Sequence, residues 1–165
     1  MSSAPAKIME KDSRARLIPA ALQIAIASIA MIAAFPAGAV LGGDATTVDA
    51  DRVQLEGTLT VARAQRYAVH EIKAPSGTVV REFVSPAGKV FGVAWNGPTM
   101  PDLRQVLGPY YDTYLQEAAK RKARGPVQIS VLGLVVQSSG HMRAFVGNAY
   151  LPDGLPQGVA SEEVR

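Results

Sequence analysis

A chain of 165 residues without a single cysteine has no disulfide framework, no thiolate metal ligand and no cysteine nucleophile. Its formal charge of +3 is unevenly placed, because the first 39 residues carry four cations and only two anions. The 126 residues that follow hold 13 basic and 12 acidic groups, which gives a polyanion such as nucleic acid no footing and suits one modest domain.

The first element reads as an export signal. Lys7, Lys11, Arg14 and Arg16 form a basic leader, and Leu17 to Ala34 is a mostly apolar run of 18 residues. Pro36 ends any helix there, and Ala37-Gly38-Ala39 offers the small side chains that a signal peptidase accepts. Cleavage is expected between Ala39 and Val40, so that residues 1–39 are a signal peptide and the remainder is periplasmic or secreted. No cysteine follows Ala39, which closes the lipoprotein route, and Ala15 between Arg14 and Arg16 speaks against the twin-arginine route. Left uncut, the same run is close to bilayer length and would make the chain a membrane-tethered accessory subunit. No second run of this kind exists, so the membrane is expected only through this segment.

Leu41-Gly42-Gly43-Asp44 reads as a flexible start to the domain. Thr46 or Thr47 caps a short helix through Leu55, with Asp49 and Asp51 near its positive end. Residues 56–64 alternate poorly and carry no assignment. Tyr67 to Ile72 and Thr78 to Val84 are strands separated by the turn Ala74-Pro75-Ser76-Gly77. After a second turn, Ser85-Pro86-Ala87-Gly88, the stretch Lys89 to Trp95 is apolar on both faces and predicts a central, covered strand. Gly92 within it would let another element approach closely.

Thr99 and Asp102 form a capping-box-like pair with Pro101 in the first turn. Leu103, Val106, Leu107, Tyr110, Tyr111, Tyr114, Leu115 and Ala118 then trace one apolar stripe, interrupted by a kink at Gly108-Pro109. The cations of Lys120 to Arg124 close this helix and Gly125-Pro126 stops it. Val127 to Val136 is a further strand, Gln137-Ser138-Ser139-Gly140 a turn, and His141 to Asn148 the hairpin partner. The order predicts an α+β domain over residues 40–152: an antiparallel sheet of about five strands, β-β-β-α-β-β, with one long amphipathic helix on one face. Residues 153–165, rich in Pro and Gly and then acidic, are expected to form an extended or frayed tail.

Several stretches together resemble a known family. They are Tyr67-Ala-Val-His70-Glu71, Ser76-Gly-Thr-Val-Val-Arg81-Glu82-Phe-Val-Ser85-Pro86-Ala-Gly88, and Val90-Phe-Gly-Val-Ala-Trp95 followed by Gly97-Pro98. Pro101-Asp102-Leu-Arg104-Gln105, Ser139-Gly140-His141-Met-Arg143-Ala-Phe and Ala149-Tyr-Leu-Pro152 complete the set. In this order they resemble the proteobacterial domain-of-unknown-function 2844 family over nearly all of the chain after the signal. The resemblance implies an exported protein of one small domain and brings no activity, cofactor or catalytic residue with it.

The chemistry-bearing residues are few. His70 and His141 are the only histidines, and with Glu71, Glu82 or Asp102 they would be the parts of a periplasmic hydrolase or isomerase. No metal-ligand spacing, nucleophile elbow or Gly-rich phosphate loop accompanies them, so no metal, cofactor or catalytic residue is expected. Arg81 and Glu82 put charge on either face of one strand, while His141 and Arg143 share a face of the last. The plain reading is a cross-strand Glu82–Arg143 pair; the functional one is a ligand-binding groove built from Arg81, Glu82, Trp95, Arg104, His141 and Arg143. The balance points away from an enzyme and toward a binding or structural protein of the envelope, whose partner is another envelope protein or a glycan.

Overall fold

The computed structural model describes residues 40–165 apart from 123, 124 and 132. The expected export signal, residues 1–39, lies outside the described residues, as does the Ala123-Arg124 end of the cation run. Among the described residues no helix is long and apolar enough to cross a membrane.

Seven strands form one antiparallel sheet: β1 (Thr58–Arg63), β2 (Ala68–Lys73), β3 (Val79–Val84), β4 (Val90–Gly97), β5 (Val127–Val131), β6 (Leu134–His141) and β7 (Ala144–Tyr150). Their order across the sheet is β1-β2-β3-β4-β7-β6-β5. The mixed class and the antiparallel pairing agree with the sequence reading, whereas seven strands replace the expected five or so. β1 is an edge strand with one face and most of the other in solvent, so its residues lack the alternation that would announce it. The expected single strand Val127 to Val136 is two, folded back at Gly133, whose φ of +72° admits the reversal. Ser138, Ser139 and Gly140 lie inside β6, and the turn falls instead at Met142-Arg143, both at positive φ. Neither residue signals such a turn, where Asn-Gly is the usual choice.

Three helices cross one face: α1 (Val48–Gln54), α2 (Leu103–Leu107) and α3 (Tyr111–Ala119). α2, a 3-10 turn over Gly108–Tyr110 and α3 together make the predicted long helix, broken where Gly108-Pro109 forecast it. The cap is Asp102 alone, whose Oδ1 accepts from the Arg104 N–H at 2.8 Å. Thr99 is not its partner; the backbone of Thr99 instead exchanges two bonds with Thr78 Oγ1. Gly108 has φ +49°, and a Cβ there would stand 1.6 Å from Val40 Cγ1. Gly108→Ala is therefore expected to cost about 2–3 kcal/mol from strain and overlap together, read as a lowered denaturation midpoint. An unchanged midpoint would mean that Val40 is not held against this turn.

The larger core lies between these helices and the sheet. Val80, Val93, Trp95, Leu134, Val136 and Ala149 face Val106 and Leu107, and Tyr110, Tyr111 and Tyr114 pack around them. Leu41-Gly42-Gly43 belongs to this core rather than forming a loose start. Leu41 is fully buried, the Gly42 N–H donates to Val90 O at 2.8 Å, and Val90 N–H donates to Gly43 O at 3.0 Å.

The C-terminal segment is the second departure. Residues 155–164 lie on the opposite face of the sheet, where Val159 and Val164 cover Phe83, Phe91 and Ala94. Gly92 permits the approach, as its missing side chain predicted: a Cβ there would be 2.8 Å from Val164 Cγ1. Tyr67 Oη donates to Glu163 at 2.9 Å and Asn148 Nδ2 donates to Val164 O at 2.6 Å, so the tail is pinned rather than frayed. Pro156 and Gly158 set a turn that brings Val159 inward and a 3-10 turn over Ser161–Glu163 does the same for Val164, a pattern too short to show periodicity.

Candidate ligand-binding groove

The tail covers only part of the second face. Beyond it, β4, β7, β6 and β5 leave an open groove of about 560 Å³, lined by Arg81, Asn96, Gln128, Gln137, Ser139, Val146, Asn148 and Arg165 among others. Register explains why these residues meet. Gln128 pairs with Gln137, Gln137 with Asn148, Asn148 with Ala94 and Ala94 with Arg81, giving one row of side chains straight across five strands. A second row runs Ser139, Val146, Asn96, Val79. Alternation along each strand puts the apolar partners of these residues in the core, as Val136 and Ala149 illustrate.

A second hollow of about 390 Å³ shares Asn96 and Val146 with the first and continues to Arg143 and Phe145, with Gly77 and Pro98 on its far side. The two hollows adjoin at Asn96 and Val146. Among the described residues, neither is lined by an aspartate or a glutamate. Glu71, outside the lining, engages Arg81 Nε at 2.8 Å and fixes its guanidinium at the margin.

The six residues expected to form a groove are divided by the fold. Arg81, Trp95 and Arg143 border the groove just described, although the Trp95 side chain packs into the core over Gly147. His141 ends β6 and is exposed. Arg104 is on the helical face, its guanidinium 4.7 Å above the Tyr111 ring. Glu82 is 1% exposed beneath the helices, and its strand neighbours are His70 and Val93, so the expected pair with Arg143 does not form. Asn96, Gln128, Gln137, Ser139, Val146 and Asn148 escaped sequence reasoning because Gln137 to Gly140 reads as a turn. Read as a strand, the polar alternation Gln137, Ser139 opposite Val146, Asn148 would have marked a wetted face.

Glu82 belongs to a different cluster. It hydrogen-bonds Asp51 of α1, and Gln105 Nε2 donates to Asp51 Oδ1 at 2.7 Å. Burial above all, and then the charge and hydrogen bond of Asp51, push the Glu82 carboxyl up to about 9. Glu82 therefore holds its proton at neutral pH and donates it to Asp51. His70, paired with Glu82 across β2–β3, is kept below the usual histidine range, first by desolvation and then by Arg63. The two carboxyls have acid–base character but no opening, since Asp51 and Glu82 are 3% and 1% exposed. His141 is also remote from them: β2 and β6 are four strand spacings apart, about 19 Å. The two histidines cannot serve one reaction centre. Among the described residues no three His, Asp or Glu side chains converge as a metal site would require.

The family described as Protein of unknown function (DUF2844) matches residues 37–164. The chain belongs to this family. The match spans the whole of the sheet, the helices and the C-terminal segment, and agrees with the resemblance carried by the motifs from Tyr67 to Pro152. No curated protein and no solved structure matches the chain. The DUF2844 assignment transfers no activity, so function rests on the groove and the buried acids themselves.

Proposed function

We propose that this DUF2844 chain is an exported domain of the cell envelope that binds a ligand without transforming it. The observation that carries the reading is the open part of the second sheet face, a concave surface lined with side-chain amides, hydroxyls and arginines on rigid strands. The acid pair Asp51 and Glu82, which could exchange a proton, is sealed under α1 and α2, away from that surface. The basic leader, apolar run and Ala37-Gly38-Ala39 support export.

Two measurements test the two halves. Intact mass of the protein recovered from the envelope fraction is expected to start at Val40; full-length chain confined to the cytosol would defeat the export half. Amide resonances of Gln137, Ser139, Val146 and Asn148 should move in titrations against a panel of envelope glycan fragments and short peptides. If no member of the panel moves them, the binding half fails.

A further inference from the structure

We infer that the groove takes an acidic polysaccharide, a carboxylate-bearing glycan strand laid across β5, β6, β7 and β4 toward the Met142-Arg143 turn. The inference rests on the binding reading above and narrows it to a ligand class.

Four observations carry it. The row from Gln128 to Arg81 spans four strand spacings, about 19 Å, and the second hollow extends it, so the surface suits an oligomer rather than a single sugar. Gln128, Gln137, Ser139 and Asn96 supply neutral donors and acceptors that match sugar hydroxyls, while the Asn148 amide is taken up by Val164 O. Arg143, and Arg81 through the part of its guanidinium that Glu71 does not engage, supply planar cations that match carboxylates, and among the described residues no aspartate or glutamate lines either hollow. Finally, Arg143 is held at φ +66° next to Met142 at +46°, a left-handed pair that costs roughly 1–2 kcal/mol per non-glycine residue. The two-residue hairpin turn between β6 and β7 demands that geometry, and it places Arg143 at the groove's end.

A peptide fits less well. β3, β4, β7 and β6 are each hydrogen-bonded on both sides, so most of the floor has no free backbone ladder for an added strand, and only the outer edge of β5 at its margin offers one. Elsewhere it presents side chains alone.

The test titrates the protein recovered from cells with three probes: oligogalacturonate, its methyl ester and oligoglutamate. Oligogalacturonate should shift the amides of Gln137, Ser139, Val146 and Asn148, at least tenfold more tightly than the uncharged ester, and more weakly as salt rises. Arg81→Gln and Arg143→Gln should each weaken it several-fold while leaving the denaturation midpoint nearly unchanged, since the Arg81–Glu71 pair is half-exposed. Equal binding of the ester would keep the groove but overturn its preference for acid. Oligoglutamate binding as tightly as oligogalacturonate would overturn the glycan. Silence from all three probes overturns the inference, and the binding reading then stands or falls on the wider panel.

Discussion

Glu82→Gln should make the protein more stable at neutral pH by roughly 3 kcal/mol, a rise in Tm on the order of 10 °C, and should leave it little changed at pH 4. The sign follows from where the proton sits. In the folded chain the carboxyl titrates at about 9, whereas in the unfolded chain it titrates at its ordinary value of 4.5. Between those two values the native state holds a proton that the unfolded state has lost, so stability is whole below 4.5 and falls as pH rises toward 9. At pH 7 about two and a half pH units of that loss have accrued, at about 1.4 kcal/mol each. Glutamine keeps the neutral shape and an N–H to donate to Asp51, and has no proton to lose. His70 works in the opposite sense: its value is depressed when folded, so its contribution is whole above 6.5 and is lost as the pH falls below it. Urea denaturation of both proteins from pH 4 to 9 separates the two, because only the Glu82 part differs between them. Parallel curves would show that Glu82 is ionised in the native state and paired in some other way.

Val164→Asp should cost about 3–4 kcal/mol, far more than a change in a Pro/Gly-rich segment outside the strands and helices ordinarily does. Val164 is fully buried against Gly92 and stands in the cluster of Phe83, Phe91 and Ala94, where a carboxylate has no partner. Val164→Ala, which removes only methyl groups, is the measured control and should lose about 1–2 kcal/mol. If the aspartate variant is no less stable than the alanine one, the tail has lifted off and the face beneath it has been exposed. Amide exchange over Phe83 and Phe91 would then rise and expose that outcome directly.

How much of this was legible in the sequence depended on periodicity. The helical stripe from Leu103 to Ala118, its break at Gly108 and the doubly covered strand β4 were all read correctly, because each is buried on a regular pattern. Leu115, which that stripe includes, is 42% exposed and marks where the stripe leaves the core. β1 was missed because an edge strand with little to bury need not alternate. Gln137 to Gly140 was read as a turn from composition, yet cross-strand partners on both sides hold it extended. The site suffered most from that error, since Gln137, Ser138 and Ser139 of the groove lining lie there. Glu82 was seen as a charge interrupting a face, but its partner Asp51 is 31 residues away on another element and no spacing announces it. The tail was judged by its Pro and Gly content, when two valines and the Gly92 notch decide where it lies.

The burial of Leu41 bears on timing. Leu41 is the second residue after the expected cut, and Val40 already closes a turn to the Gly43 N–H at 2.6 Å. A signal peptidase reads extended backbone, so under the export reading a domain that has folded has taken its own processing site out of reach. Cutting and folding then compete on one clock, and maturation belongs to the interval before α2 closes over Leu41. Variants that fold more slowly should be processed more completely, and faster ones should retain their leader.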